Sequence, residues 1–176
     1  GNAEPAKAYI LPGNWSLVFS GRMGYQTPNW ATYLNATRIT AEGRFLMPRE
    51  WGRDPFYTFL ARERNEGFGD LTAISANLFI TPTPRLKAEV SLGYYRLPDV
   101  KSAVLNKYGM PTYTQTNIGA TYRFNGWLNG FDVQTLWIIK GSVGDTYNNA
   151  RYVVNKVGMS QLNLIVNYHL YNGTRI

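Results

Sequence analysis

Between residues 86 and 94 every second side chain is apolar: Leu86, Ala88, Val90, Leu92 and Tyr94 interleave with Lys87, Glu89, Ser91, Gly93 and, beyond the run, Tyr95. A repeat of two is the repeat of a β-strand, which sends successive side chains to opposite faces; a helix sorts residues with a repeat near 3.6. The same sorting recurs along the chain. Ile118, Ala120, Tyr122 and Phe124 oppose Gln115, Asn117, Gly119, Thr121 and Arg123, and Leu162, Leu164, Val166, Tyr168 and Leu170 oppose Gln161, Asn163, Ile165, Asn167 and His169. Ile74, Ala76, Leu78 and Ile80 oppose Ser75 and Asn77, while Trp15, Leu17, Phe19, Met23 and Tyr25 oppose Ser16, Ser20, Arg22 and Gln26. Residues 131–140 alternate less cleanly, because Leu136 and Ile138 share the face of Asp132, Gln134 and Lys140. Residues 33–47 read as a strand whose facing stays open: one parity puts Arg38 beside Leu34 and Ala36, the other puts Asn35 beside Ile39. The total is about seven strands in an all-β, antiparallel architecture, with one short helical turn expected within 100–108.

Composition narrows the function classes. At 176 residues the chain makes one domain, and 16% charged with 15% aromatic residues is the reverse of a disordered composition. No apolar run exceeds four residues, far short of the roughly 20 that a membrane-spanning helix needs. A barrel strand, however, crosses a bilayer in about 9 to 11 residues of which alternate ones are apolar. There is no Cys and one His, so disulfide and Cys-built zinc frameworks are excluded and catalytic or metal constellations are hard to assemble. His169 shares its face with Asn163 and Asn167, but no Ser stands in a partnering position. The expectation is no enzyme, no metal and no cofactor. The chain starts at Gly1 without a leader, which reads as a processed chain or a piece of a longer one.

Connection lengths alternate as well. Tight turns are expected at 27–29, 81–85 and 125–130, and long polar connections at 48–68, 98–111 and 142–158. Short turns at one end and long loops at the other are the signature of an outer-membrane barrel, with periplasmic turns and extracellular loops. Aromatic residues cluster toward the turns (Tyr25, Phe124, Trp127, Phe131, Tyr168, Tyr171) and toward the loops (Trp15, Tyr94, Tyr113), as in two interfacial girdles. An odd strand count does not close such a barrel. Either Lys7 to Leu11 form an eighth strand, or the chain is the C-terminal part of a larger barrel. The small inward residues Gly93 and Gly119 favour the larger barrel, since an eight-stranded one is filled by its own side chains.

The segments Leu105-Asn106-Lys107-Tyr108-Gly109-Met110-Pro111-Thr112-Tyr113, Gly144-Asp145-Thr146-Tyr147-Asn148-Asn149, Tyr152, Asn155-Lys156-Val157 and Asn163-Leu164-Ile165-Val166-Asn167-Tyr168 resemble the C-terminal region of OprD-type outer-membrane porins, in the version found in Bacteroidetes. Pro48 to Tyr57 and Arg62-Glu63-Arg64-Asn65 are similar to that group too. The resemblance implies a larger monomeric barrel in the bacterial outer membrane that passes small solutes by diffusion. It also implies basic pore-lining residues and a preference for carboxylate-bearing substrates. Implied partners are outer-membrane lipid and lipopolysaccharide, the barrel assembly machinery during biogenesis, and a larger membrane complex. Residues 172–176 depart from the family by continuing past the aromatic end of the last strand.

The chain carries 18 Lys and Arg against 11 Asp and Glu, a net charge of +7. The basic residues form no run with interleaved aromatics, so nucleic acid is not the expected partner. Arg22, Lys87, Arg123 and Lys140 fall singly on inward positions with Glu89 and Asp132, and read as pore-lining. They would either concentrate anions in a water-filled lumen or be solvated charge with no role toward solutes. The connection at 48–68 carries Arg49, Glu50, Arg53, Asp54, Arg62, Glu63 and Arg64. It either folds inward as a constriction or stays outside, held by its own ion pairs and lipopolysaccharide; its mixed charge favours the second. Two other architectures fit the pattern: a small closed outer-membrane barrel with a structural or adhesion role, and a soluble lipocalin-like binding barrel.

Overall fold

The computed structural model describes residues 13–47 and 52–170. The segment Lys7 to Leu11, the tail 172–176, Tyr171, Arg49 and Glu50 lie outside the described residues. Seven antiparallel strands follow one another as neighbours in a single sheet: β1 (Val18–Gln26), β2 (Trp30–Ile39), β3 (Leu71–Thr83), β4 (Leu86–Arg96), β5 (Tyr113–Arg123), β6 (Phe131–Ser142) and β7 (Met159–Tyr168). Each pairs with the next in sequence, so β1 and β7 are edges and the sheet does not close among the described residues. Short turns join β1 to β2, β3 to β4 and β5 to β6, the last through a 3-10 turn at Gly126–Leu128. Long connections follow β2, β4 and β6. The segment 100–108 forms short turns, one closed by the Asn106 amide on the Ser102 carbonyl (2.8 Å), and the Asn106 side chain organises it by donating to the carbonyls of Pro98 and Met110, both at 2.9 Å.

Register sorts the side chains into two faces. Gly21, Ala36, Ile74, Tyr94 and Thr114 lie opposite one another across β1 to β5, as do Met23, Leu34, Ala76, Leu92 and Thr116. This face is bare and apolar: Leu92 is 53% and Leu162 71% exposed, and Phe19, Leu78, Val90, Ile118, Trp137, Leu164 and Val166 are exposed with them. The opposite face carries Asn35, Ser75, Asn77, Ser91 and Gln115, each buried. The first four bond one another: Asn35 Nδ2 donates to Ser75 Oγ (2.9 Å) and Asn77 Oδ1 (2.6 Å), and Asn77 Nδ2 to Ser91 Oγ (2.8 Å). A polar face is stable under cover only when paired in this way.

The facing of β2 resolves with Asn35 and Ile39 on the covered face and Arg38 on the bare one. Both awkward neighbours are accommodated by position along the strand. Ile39 is fully buried because it sits at the long-loop end, in an apolar cluster with Phe56, Phe68, Leu71, Tyr95, Leu97 and Tyr113. The core of the molecule therefore lies beneath the long connections and not along the middle of the sheet. Tyr113, expected in an outward girdle, is in this core and stacks on Tyr95 with centroids 4.7 Å apart. Gly93 is small for the same reason: a Cβ there would meet the Tyr95 ring at 2.6 Å, so the glycine's space is already filled. Gly119 likewise makes room for Glu89, whose Cγ would lie 2.8 Å from an added Cβ. These two glycines do not signal a wide lumen.

Candidate functional site

The connection after β2 turns back over the covered face and crosses it from one side toward the other. Residues 57–62 form this strap, held in order along its length by β1, β2, β4, β5 and β6. The Tyr57 amide donates to Ser20 Oγ on β1 (3.1 Å), and Thr58 Oγ1 bonds Thr37 Oγ1 on β2 (2.8 Å). The Thr58 carbonyl accepts from Tyr95 OH on β4 (2.8 Å), the Ala61 carbonyl from Gln115 Nε2 on β5 (2.6 Å), and the Arg62 carbonyl from Lys140 Nζ on β6. Arg62 has φ of 70°, which turns its carbonyl at the end of the crossing. The expectation that this connection stays outside, held by its own ion pairs, is therefore corrected. Its carbonyls at Thr58, Ala61 and Arg62 are taken up by polar side chains that the sheet presents.

The acidic residues that flank the strap, Asp54 and Glu63, are buried. Asp54 Oδ2 accepts from the Asn65 amide and Glu63 Oε2 from the Leu60 amide (3.3 Å), while Asp54 Oδ1 and Glu63 Oε1 accept no hydrogen bond. Burial pushes the Asp54 carboxyl above its ordinary value despite the Asn65 amide. It pushes Glu63 well above, with the charge of Asp54 adding to the effect. Farther along, Glu66 is met by Arg64 (3.4 Å), Lys107 (3.5 Å) and the Tyr108 hydroxyl (2.8 Å), which ties this connection to the one after β4.

On the short-turn side of the strap a cleft of about 660 Å³ opens, lined by Arg22, Arg53, Tyr33, Phe59 and Glu89 among others. Arg22 donates from Nε to Asn35 Oδ1 (2.7 Å) and lies 4.6 Å from the Tyr33 ring centroid and 4.9 Å from that of Tyr57. Arg53 sits 5.7 Å from the Phe59 ring. A second cavity of about 470 Å³ shares Glu89 with the first and is lined by Lys87, Gly119, Thr121 and Gln134. Arg22 and Glu89 thus share one cleft with Arg53 from the strap connection, and Lys87 lines the adjoining cavity with Glu89. The other expected pore-lining residues do not join them. Lys140 is engaged by the strap, its ammonium also 4.9 Å from the Tyr113 ring. Asp132 is enclosed by Asn167 Nδ2 (2.8 Å), Gln134 Nε2 (3.2 Å) and His169 Nε2 (2.6 Å) near the β5–β6 turn, in a small cavity that Arg123 also lines. Arg64 is paired with Glu66, and Asp54 and Arg62 are parts of the strap connection.

Sequence reasoning missed the strap's anchors, Ser20, Thr37, Tyr95 and Gln115. Their signal is faint: small or amide side chains at polar strand positions, which read equally well as lumen-facing residues. Comparison of the chain with protein-family models, curated proteins and solved structures finds no match in any of the three.

Proposed function

We propose that this chain is part of a β-barrel in the bacterial outer membrane and passes small anionic or carboxylate-bearing solutes by passive diffusion. The observation that carries the reading is the inversion of the sheet at mid-strand: there its bare face is apolar on all seven strands, and its covered face is polar from Asn35 on β2 to Gln115 on β5. A water-soluble β domain keeps contiguous exposed apolar patches to about 300–600 Å², and a lipocalin-like binder would turn its apolar face to the interior. In a bilayer the bare face meets hydrocarbon and the covered face meets water. The open edges of β1 and β7 would be costly in lipid, which favours a larger barrel completed by further strands.

The solute preference rests on the cleft. Arg22 and Arg53 against Glu89 leave an excess of positive charge beside aromatic rings, and Lys87 stands in the adjoining cavity. Guanidinium groups pair with carboxylates in a bidentate fork, and a cleft of one sign raises the local concentration of the opposite ion. The strap narrows the path past these residues.

The test has two parts. Spin labels placed in turn at Val90, Ser91 and Leu92 should show oxygen accessibility at Val90 and Leu92 and not at Ser91; equal oxygen access at all three refutes the membrane-facing sheet. The native protein in planar bilayers should give discrete conductance steps with anion selectivity, reduced by Arg22→Gln. An intact inserted barrel without steps supports a structural or adhesion role instead.

A further inference from the structure

Among the described strand positions of the bare face, two are charged, Arg38 and Arg96, and they stand in one row. Arg38 lies opposite Thr72, which lies opposite Arg96, so the arginines flank one residue of β3 at the long-loop end of the apolar belt. The next row toward the sheet centre is Ala36, Ile74 and Tyr94. Asp70, with φ of 45°, is held at the head of β3 by its backbone N–H, which donates to the Thr40 carbonyl (2.9 Å). Its Oδ1 is 2.5 Å from one Arg38 terminal nitrogen and 3.5 Å from one of Arg96, while the other Arg38 nitrogen donates to Thr72 Oγ1 (3.1 Å).

Asp70 lies between the two guanidinium groups and the exposed Glu42 carboxylate also acts on Arg38, so Arg96 is the less compensated of the pair. Arg96 reaches Asp70 only at 3.5 Å and keeps 54% of its side chain exposed. Arginine forks match the geometry of phosphate oxygens, and each contact with an ionised acceptor is stronger than a neutral hydrogen bond. The cluster's place adds what a free ion would not need: an uninterrupted apolar surface, Ile74, Tyr94 and Leu92, begins directly beside it.

We propose that the Arg38–Asp70–Arg96 cluster binds the phosphate of a glycolipid headgroup in the leaflet at the long-loop end, with the lipid's acyl chains lying on the apolar belt. This inference rests on the membrane reading above. It assigns the two charges that strand alternation alone leaves without a purpose.

The experiment uses the full chain purified in a non-ionic detergent, titrated with bis-phosphorylated lipid A and with its dephosphorylated form, and read by native mass spectrometry. The wild-type protein should bind the phosphorylated lipid, and R38Q/R96Q should bind it at least about tenfold more weakly, while R151Q, in the connection after β6, binds as the wild type does. Should the double variant fail to fold, R96Q alone removes the looser arginine and should weaken binding several-fold. Unchanged binding by a folded R96Q or R38Q/R96Q, equal binding of the dephosphorylated lipid, or competition by millimolar inorganic phosphate alone with no lipid bound would each overturn the site. A protein that stays in the aqueous phase without detergent overturns the membrane reading and this proposal together; one that enters bilayers but binds lipid without regard to phosphate overturns only the proposal.

Discussion

Replacing Tyr95 by Phe removes one oxygen atom and tests whether the strap is held by the sheet. The hydroxyl donates to the Thr58 carbonyl at 2.8 Å, and both partners are fully buried. The ring's stacking on Tyr113 does not involve the hydroxyl and is kept. The cost is that of leaving a buried carbonyl without its donor, about 1–3 kcal/mol, and it falls on the docked strap because an undocked carbonyl is hydrated. The fraction of molecules with the strap lifted should rise about five- to 150-fold. The chain has no cysteine, so Leu60→Cys, at a position that is 5% exposed, supplies a single reporter thiol. Its labelling by a membrane-impermeant maleimide, with reclosing faster than reaction, follows the lifted population. The comparison is between L60C and L60C/Y95F, so any effect of the reporter cancels. Identical labelling rates with an unchanged global unfolding midpoint would refute the claim that this hydrogen bond anchors the strap.

Strap docking should depend on pH. Asp54 and Glu63 have raised values when docked, so docking is most stable at acid pH, below their ordinary carboxylate range, and weakens as pH rises through the raised values. Thiol labelling of L60C, normalised to a free peptide thiol, should therefore increase with pH, and Glu63→Gln should flatten that increase. Leu92→Arg puts a charge on the bare face at mid-strand and should cost about 2–4 kcal/mol when unfolding is measured from lipid vesicles; no cost would mean the face does not meet hydrocarbon. Asn35→Ala removes the shared partner of Arg22, Ser75 and Asn77 and should lower stability by about 1–3 kcal/mol in a denaturant titration, with Arg22 losing its 2.7 Å hydrogen bond.

The strands were legible wherever one face was apolar throughout. β4, β5 and β7 sorted cleanly, because a one-residue slip would turn every apolar side chain to the wrong side. β2 was not legible, since its alternation breaks at the end where the environment changes. Ile39 faces the same way as Asn35 but lies under the long connections, and Arg38 lies beyond the apolar belt. Tyr113 misled for the same reason, an aromatic near a strand end that belongs to the covered core. Arg22 and Glu89 line one cleft and Lys87 the cavity beside it. The strap stayed hidden because its sheet anchors bond mostly to main-chain carbonyls, those of Thr58, Ala61 and Arg62, and a carbonyl carries no mark of its residue. Lys140 looked like free lumenal charge until its acceptor was in view.

The strap's ladder of anchors also imposes an order on assembly. Tyr57 reaches β1 and Arg62 reaches β6, so the crossing spans strands whose mutual placement depends on every hairpin between them. Its full set of anchors exists only once that run is zipped, and until then part of the interior is open to solvent. A sheet arrested with one hairpin missing would hold the segment at one end only, and a protease would find it there.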